Sequence, residues 1–172
     1  MSALNYSRRH FLRTAGIAGG GLVVGFSLSG CSASEIPLQP LADAYAPNAF
    51  LQLTPDNVIR FYCPRDEMGQ GVTTGLATCV AEELDIDPAH LLIELAGAHA
   101  DYGNPDFGGM QGTGGSTSIK AHYLQLRQVG ADTRALLLSA AASDLGIDLA
   151  SLTTANGAVV ANGERMPYGQ FI

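Results

Sequence analysis

A glutamine between two glycines, at the entrance to an apolar helix, constrains this chain more than any other stretch. Residues 66–85 read DEMGQGVTTGLATCVAEELD. Gly69 and Gly71 have no side chains, so the backbone around Gln70 can bend sharply and approach a bound group closely. The amide of Gln70 offers both a donor and an acceptor at the tip of this bend. We therefore predict a tight turn that presents Gln70 to a ligand.

The residues after this turn predict an amphipathic helix. Apolar side chains recur at helical spacing over residues 72–84, with Glu82 and Glu83 on a solvated face. The turn therefore precedes a helix N-terminus, where unpaired N–H groups and a positive dipole favour a phosphate or a metal-oxo oxygen. We expect Asp66 and Glu67 to orient the turn by bonding its N–H groups. A tight turn with a surface glutamine explains these residues equally well.

A second glycine-rich stretch opens another helix. Residues 98–115 contain six glycines without a regular period, which predicts a loop too flexible for the core. Ser116, Thr117 and Ser118 then begin a helical pattern that extends to about residue 145, with a kink expected at Gly130.

The start of this second helix is a candidate anion site. Gly114 and Gly115 allow close backbone approach, and three hydroxyls with free N–H groups can bind an anion. Helix capping by Ser116 or Thr117 explains the hydroxyls as well, and both interpretations stay open. Two such turns, about 45 residues apart, can hold one long anionic ligand from two directions.

Both turns resemble segments of one enzyme family. The string EMGQG, followed by a helix that ends in AEELD, resembles the molybdenum-binding turn of the xanthine dehydrogenase and aldehyde oxidase family. The isoquinoline 1-oxidoreductase branch is the most similar. TGGSTS is similar to the segment that contacts the pterin, although xanthine dehydrogenases generally carry alanines where Gly114 and Gly115 stand. The resemblance covers residues 48–172.

The resemblance implies a cofactor and roles for named residues. Gln70 would polarise an oxo ligand of the molybdenum, and no side chain of this chain would ligate the metal. The cofactor would be molybdenum-molybdopterin, in the cytosine dinucleotide form that bacterial relatives suggest. The residues implied to bind it are Gly69, Gln70, Gly71, Gly114, Gly115, Ser116, Thr117 and Ser118.

The family reaction hydroxylates an aldehyde or an N-heteroaromatic substrate, with water as the oxygen source. The catalytic base in this family is a glutamate that has no match in this chain. Electrons leave through [2Fe–2S] clusters on a separate small subunit, and Cys63 and Cys79, which remain after removal of a signal peptide, are too few to hold them. The resemblance thus implies a molybdenum hydroxylase as the full assembly, and an inactive chain on its own.

The N-terminus carries an export signal. Residues 7–13 read SRRHFLR, a twin-arginine pattern, and an uncharged glycine-rich stretch follows over residues 15–28. This stretch is shorter than the roughly 20 apolar residues of a membrane span. We predict a signal peptide over residues 1–31 and a periplasmic protein, with lipid anchoring at Cys31 as an alternative ending. Three prolines in residues 32–47 indicate an extended linker.

The charge of the chain limits its partners. Removing residues 1–31 takes away Arg8, Arg9 and Arg13 and no acid, so the net charge changes from −7 to −10. An acidic chain argues against nucleic acid as a partner. It also means that N–H groups and neutral side chains, not a basic patch, must hold an anionic cofactor.

The remaining cysteines and histidines suggest no metal site. Cys63 and Cys79 are predicted to be buried free thiols, and a disulfide between them stays an alternative. His90, His99 and His122 do not share a metal-ligand spacing, which favours surface or satisfied core histidines.

The order of elements predicts an α+β fold, a cofactor-binding lobe with a hairpin, a short mixed sheet and two main helices. The predicted strands cover residues 49–53, 58–62 and 91–96, the last of them buried, and short hairpin strands cover 152–154 and 158–161. Residues 168–172 are predicted to start a further helix.

We expect residues 48–172 to be the first, truncated part of a molybdopterin-binding domain. The partners would be the rest of the large subunit, a small [2Fe–2S] subunit and a small aldehyde or N-heterocycle. Absent lobes would leave apolar surface exposed. An exported, non-enzymatic anion-binding lipoprotein, or a decayed gene product, is the alternative.

Overall fold

The structure is a computed structural model that describes residues 48–172. The predicted signal peptide over residues 1–31, the lipidation site at Cys31 and the linker over 32–47 lie outside the described residues. The predicted α+β class is confirmed, because two helices pack with two small sheets.

The first sheet has three strands and mixed direction. Strands β1 (Leu51–Leu53) and β2 (Ile59–Cys63) form the predicted antiparallel hairpin. Strand β3 (Leu91–Leu95) pairs in parallel with the other edge of β2. A helix connects β2 to β3, as parallel neighbours require a long crossover. The first turn therefore leaves the carboxyl end of the central strand.

The two helices form the core with this sheet. Helix α1 (Val72–Leu84) buries Leu76, Val80 and Leu84 completely, as its apolar spacing predicted. Helix α2 (Ser118–Leu145) continues through Gly130, so this glycine does not end the helix.

Gly130 instead lets the two helices approach closely. A Cβ at this position would lie 2.5 Å from the carbonyl oxygen of Val80 and 3.0 Å from Cβ of Glu83. Glu83 was predicted to lie on a solvated face. Its Oε1 instead accepts from Nε of Arg127 at 2.6 Å. Nη1 of Arg134 also donates to the carbonyl of Glu83 at 3.2 Å. These contacts fix the relative position of α1 and α2.

A second sheet closes the end of α1. It is an antiparallel meander of β4 (Thr153–Thr154), β5 (Ala158–Ala161) and β6 (Glu164–Pro167). The predicted helix start at residues 168–172 is a single 3₁₀ turn, Tyr168–Phe171. The buried hydroxyl of Tyr168 donates to the carbonyl of Leu84 at 2.8 Å, which joins this turn to the C-terminus of α1.

The lobe exposes apolar side chains, as expected. Strand β3 was predicted to be buried, but it is an edge strand whose Leu92, Ile93 and Leu95 are 37–55% exposed. Leu124, on α2, is 77% exposed. Within residues 48–172, no helix combines the length and apolarity that crossing a membrane requires.

The glycine-rich loop is more ordered than its composition suggested. Two 3₁₀ turns, Ala100–Tyr102 and Pro105–Phe107, interrupt it. Tyr102 and Asn104 are fully buried, and the Tyr102 hydroxyl donates to the carbonyl of Ala49 at 2.6 Å. The loop is confirmed as a connection without a long element, and Tyr102, which precedes the glycine run FGGMQGTGG, anchors it in the core.

Candidate functional site

The first turn (residues 66–71) bends because two glycines adopt the left-handed region. Gly69 has a φ of 90° and Gly71 a φ of 80°, values that residues with a Cβ rarely adopt. No atom lies within 4 Å of the place where a Cβ would stand at either residue. The predicted sharp bend around Gln70 is confirmed, and the space outside it is open to a ligand.

The carboxylate of Glu67 holds this turn in shape. Its Oε1 accepts from the N–H groups of Gly69 at 2.8 Å and Gly71 at 2.9 Å. Its Oε2 accepts from the N–H of Thr73 at 3.1 Å and from the Thr73 hydroxyl at 2.8 Å. These hydrogen bonds lower the pKa of Glu67 to about 2, and the bond from Gly71 contributes most to this shift. The predicted role of Glu67 is confirmed, while Asp66 contributes backbone groups.

This arrangement changes how the N-terminus of α1 can bind an anion. The N–H groups of Gly71 and Thr73, which the sequence offers to an external anion, donate to Glu67. A ligand at this turn therefore meets a surface that Glu67 has already shaped. It does not meet two unpaired N–H groups.

The amide of Gln70 is exposed and folds back onto its own turn. Its Oε1 accepts from the N–H of Met68 at 2.6 Å, and its Nε2 donates to the carbonyl of Asp66 at 2.9 Å. A typical hydrogen bond contributes about 1 kcal/mol net. Gln70 can therefore turn toward a ligand at modest cost, after these two bonds break.

The second turn (residues 112–117) needs one of its glycines for conformation. Gly115 has a φ of 58°, and the next residue, Ser116, a φ of 54°. A Cβ at Gly114 would make an ordinary contact, 3.7 Å from Cζ of Phe107. An alanine at position 114 therefore fits this backbone, whereas an alanine at position 115 would be strained.

Thr117 closes the second turn but does not cap the helix with its side chain. Its hydroxyl donates to the carbonyl of Gly114 at 2.9 Å and accepts from Nδ2 of Asn104 at 2.8 Å. Thr117 thus occupies the predicted N-cap position, but its hydroxyl does not accept from a helix N–H. The hydroxyls of Ser116 and Ser118 make no hydrogen bond within residues 48–172 and stay available to a ligand.

The structure brings the two turns together. The N–H of Asp66, in the first turn, donates to the hydroxyl of Thr113, in the second, at 2.9 Å. A Cβ on Gly75 would lie 2.7 Å from Cδ1 of Ile119, so the first turns of α1 and α2 are also in contact. Two predicted sites that are separate in sequence therefore form one surface.

A buried polar layer supports this surface. Arg65 is 2% exposed, and its Nη1 donates to the carbonyls of Pro64 at 2.6 Å and Tyr102 at 2.8 Å. Its Nη2 also contacts Nε2 of His122. Burial lowers the pKa of His122 and keeps the imidazole neutral.

Two of these supporting residues, Arg65 and Thr113, were missed by sequence analysis. The residues DYGN over 101–104 predict a turn that includes Asn104, but they do not predict its contact with Thr117. Arg65 lies between a buried strand and a glycine turn, where a cation has no evident partner. Thr113 carries no local signal, because its role depends on contact with Asp66.

The cysteines and histidines behave as predicted. Cys63 and Cys79 are buried free thiols, and burial raises the pKa of each. His122 is a satisfied core residue, His99 accepts from the N–H of Asp101, and His90 is exposed. Across the described part of the chain, no three His, Cys, Asp or Glu side chains cluster to hold a metal ion.

The residues of both turns fit a large anionic group. The candidate donors are the hydroxyls of Ser116 and Ser118 and, once its two bonds within the turn break, the amide of Gln70, with open space beside Gly69 and Gly71. One buried cation, Arg65, immediately precedes the first turn, and its Nε has no hydrogen-bond partner among residues 48–172. This donor set can hold an anion without ligating a metal.

Comparison with known proteins identifies the family of this chain. A family model described as a molybdopterin cofactor-binding domain matches residues 4–172. The beta subunit of isoquinoline 1-oxidoreductase from Brevundimonas diminuta is 32% identical over 169 residues, covering 96% of this chain and 22% of that protein. The membrane-bound aldehyde dehydrogenase (pyrroloquinoline-quinone) from Gluconacetobacter polyoxogenes is 30% identical over 169 residues, covering 96% of this chain and 21% of that protein. The chain thus spans about a fifth of the length of these relatives.

Solved structures share the fold. The carbon monoxide dehydrogenase from Oligotropha carboxidovorans matches with a TM-score of 0.52 and 18% identity, over 70% of this chain and 15% of that one. Quinoline 2-oxidoreductase from Pseudomonas putida 86 matches with a TM-score of 0.50 and 15% identity, over 70% of this chain and 15% of that one.

Proposed function

Because this chain belongs to the molybdopterin cofactor-binding domain family of the molybdenum hydroxylases, we propose that residues 48–172 hold a molybdenum-molybdopterin between their two glycine turns. The hydrogen bond from Asp66 to Thr113 carries this proposal, because it unites two turns that are far apart in sequence. Neither turn is specific alone, since a glycine turn before a helix is common. Joined, they offer one continuous surface to a long anionic ligand.

Each turn contributes a different kind of contact. In the first, Gln70 is the group that bonds the metal end of the cofactor, on the bend that Gly69 and Gly71 form. In the second, Gly114 and Gly115 allow close approach, and Ser116, Thr117 and Ser118 surround the pterin end. The Thr117 hydroxyl already has two partners in the turn, so its contribution is to shape the backbone.

When bound, the cofactor supplies the redox chemistry that hydroxylates an aldehyde or an N-heteroaromatic carbon with oxygen from water. The residues of this chain orient the cofactor and donate hydrogen bonds to it. Glu67 keeps the N–H groups of Gly69 and Gly71 engaged, so the bend is already formed before the cofactor arrives.

The assembly that we propose extends beyond this chain. The isoquinoline 1-oxidoreductase relative is a beta subunit, which supports a multi-subunit enzyme. We assign the remaining lobes to the rest of a large subunit and the [2Fe–2S] clusters to a small partner subunit. The pattern SRRHFLR supports twin-arginine export to the periplasm with the cofactor already bound, and the pterin carries a cytosine dinucleotide in this proposal.

A metal and pterin analysis tests the proposal. The chain is produced with the reading frame that follows Ile172 and with a small iron–sulfur partner, and molybdenum, pterin and nucleotide are measured per subunit. We expect about one molybdenum and one pterin per large subunit and none in the isolated chain, which is inactive alone. A genuine stop after Ile172 together with a monomer free of molybdenum would favour the exported anion-binding lipoprotein or a decayed gene.

A further inference from the structure

Arg65 is a buried cation at the position immediately before the first turn. It follows β2, and its peptide bond leads to Asp66, whose N–H donates to Thr113. The side chain is only 2% exposed. Two of its three nitrogens have partners, but Nε has no hydrogen-bond partner within residues 48–172. A buried guanidinium normally uses all of its donors, so this one is incompletely satisfied.

The partners of Arg65 are all neutral. They are the carbonyl oxygens of Pro64 and Tyr102 and the imidazole of His122. Burial lowers the pKa of His122, the hydrogen bond to Gln125 opposes this shift, and the charge of Arg65 adds to it. We therefore assign the imidazole proton to Nδ1, which lies 2.8 Å from Oε1 of Gln125, and the lone pair to Nε2 facing Arg65.

Among residues 48–172, no carboxylate forms an ion pair with Arg65. Burial lowers the pKa of Arg65, and the charge of the neighbouring Asp66 opposes this shift without outweighing it. Arg60, five residues earlier, also has an Nε without a hydrogen-bond partner, but this atom lies 3.1 Å from Oε1 of Glu94, so Arg60 has the ion pair that Arg65 lacks. Burial of an unpaired cation is unfavourable, so its retention here needs a compensating anion or another role.

We propose that Arg65 is a positioning residue whose buried charge attracts the anionic pterin cofactor to the junction of the two turns. This inference rests on the proposed function. Beside Arg65, the two turns offer the amide of Gln70 and the hydroxyls of Ser116 and Ser118. The first turn also carries the carboxylates of Asp66 and Glu67, and the chain is acidic overall, with a net charge of −7. A single buried cation beside these turns acts through a low-dielectric interior, where its field is weakly screened.

A simple bracing role is the competing explanation. The two carbonyl contacts connect the end of β2 to the loop at Tyr102, and this brace needs the planar fork of arginine more than its charge. Charge and fork can be separated by substitution. R65K keeps the charge without the fork, R65Q keeps a neutral donor, and R65M fills similar volume with neither.

The test uses the full-length subunit with its iron–sulfur partner. The amount of cofactor that stays bound after equilibrium dialysis gives an apparent dissociation constant for the cofactor. Urea unfolding of the cofactor-free protein gives its free energy of unfolding. The matched control is R60Q, which removes a partly buried arginine of the same sheet that has its own carboxylate partner. Both R65Q and R65M remove the charge, so the test can still be made if one of these variants does not fold.

We expect R65Q and R65M to raise the dissociation constant about tenfold, the effect of losing one modest charge interaction. R65K should stay within about threefold of wild type, and R60Q should bind the cofactor as wild type does. A loss shared equally by R65K and the neutral variants, or no loss in either neutral variant, would overturn the role of the charge. A wild-type protein without molybdenum or pterin would instead remove the proposed function, and this inference with it.

Discussion

The backbone N–H of Asp66 donates to the hydroxyl of Thr113 at 2.9 Å, across 47 positions of sequence. Asp66 begins the glycine turn before α1, and Thr113 belongs to the turn before α2. This contact makes one surface out of two loops. It also explains why two helices that start far apart in sequence present their N-termini side by side.

Substitution of Thr113 tests this connection. T113V removes the acceptor for the Asp66 N–H, and we expect a loss of about 1 kcal/mol in the free energy of unfolding. T113S keeps the hydroxyl and should lose less than half of that amount. Urea denaturation measures both. Equal stability of T113V and T113S would show that the hydrogen bond does not hold the turns together.

The carboxylate of Glu67 predicts a pH dependence. Hydrogen bonds from Gly71, Thr73 and Gly69 lower its pKa from 4.5 to about 2. Because the folded-state pKa lies below the unfolded one, its stabilising contribution is complete above about pH 4.5 and is lost as the pH falls toward 2.

Comparison with E67Q measures this contribution. The amide of glutamine cannot accept hydrogen bonds at both of its terminal atoms, so E67Q should be less stable than wild type near pH 6. The difference in unfolding free energy should shrink between about pH 4.5 and pH 2. A difference that does not change across this range would mean that the carboxylate charge contributes nothing to the turn.

The two glycines of the second turn should respond differently to alanine. Gly115 has a φ of 58°, so G115A should cost about 1 kcal/mol of stability from backbone strain. A Cβ at Gly114 would lie 3.7 Å from Phe107, so G114A should change stability by less than about 0.5 kcal/mol. Thermal unfolding of both variants measures this difference, and G114A serves as the control for G115A. The reverse order of stability would contradict the backbone geometry of this turn.

Gly130 predicts a packing effect between the helices. Alanine favours a helix over glycine by about 1 kcal/mol, yet a Cβ here would lie 2.5 Å from the Val80 carbonyl oxygen. Overpacking should dominate, and G130A should lose roughly 1–3 kcal/mol in urea unfolding. G97A is the control, because no atom lies within 4 Å of its Cβ position. A stabilised G130A would mean that α1 and α2 separate easily.

Much of the fold follows from local patterns. The apolar spacing after Gly71 predicted a helix over residues 72–84, and the structure has Val72–Leu84. The hairpin around Asn57 was predictable for the same reason, since alternation and turn residues act over a few positions. The glycine bend around Gln70 also needs only local conformation. Such features depend only on residues that are adjacent in the sequence, so one sequence is enough to predict them.

Burial was harder to predict than secondary structure. Strand β3 reads as an apolar strand, but its position at the edge of the sheet exposes Leu92 and Leu95. The loop over residues 98–115 reads as flexible, yet Tyr102 anchors it in the core. Composition describes what a side chain prefers, while burial depends on which elements pack over it.

The sequence by itself determined the elements, the two glycine bends and the resemblance to the molybdenum hydroxylases, because spacing and motif act over short stretches of chain. Tertiary structure alone decided that Asp66 meets Thr113 and that Arg65 lies buried against Tyr102 and His122. The physical reason is that these contacts form only when the loop before α2 and the first turn of α2 pack against the end of β2. Packing joins residues whose separation in sequence carries no signal of their contact.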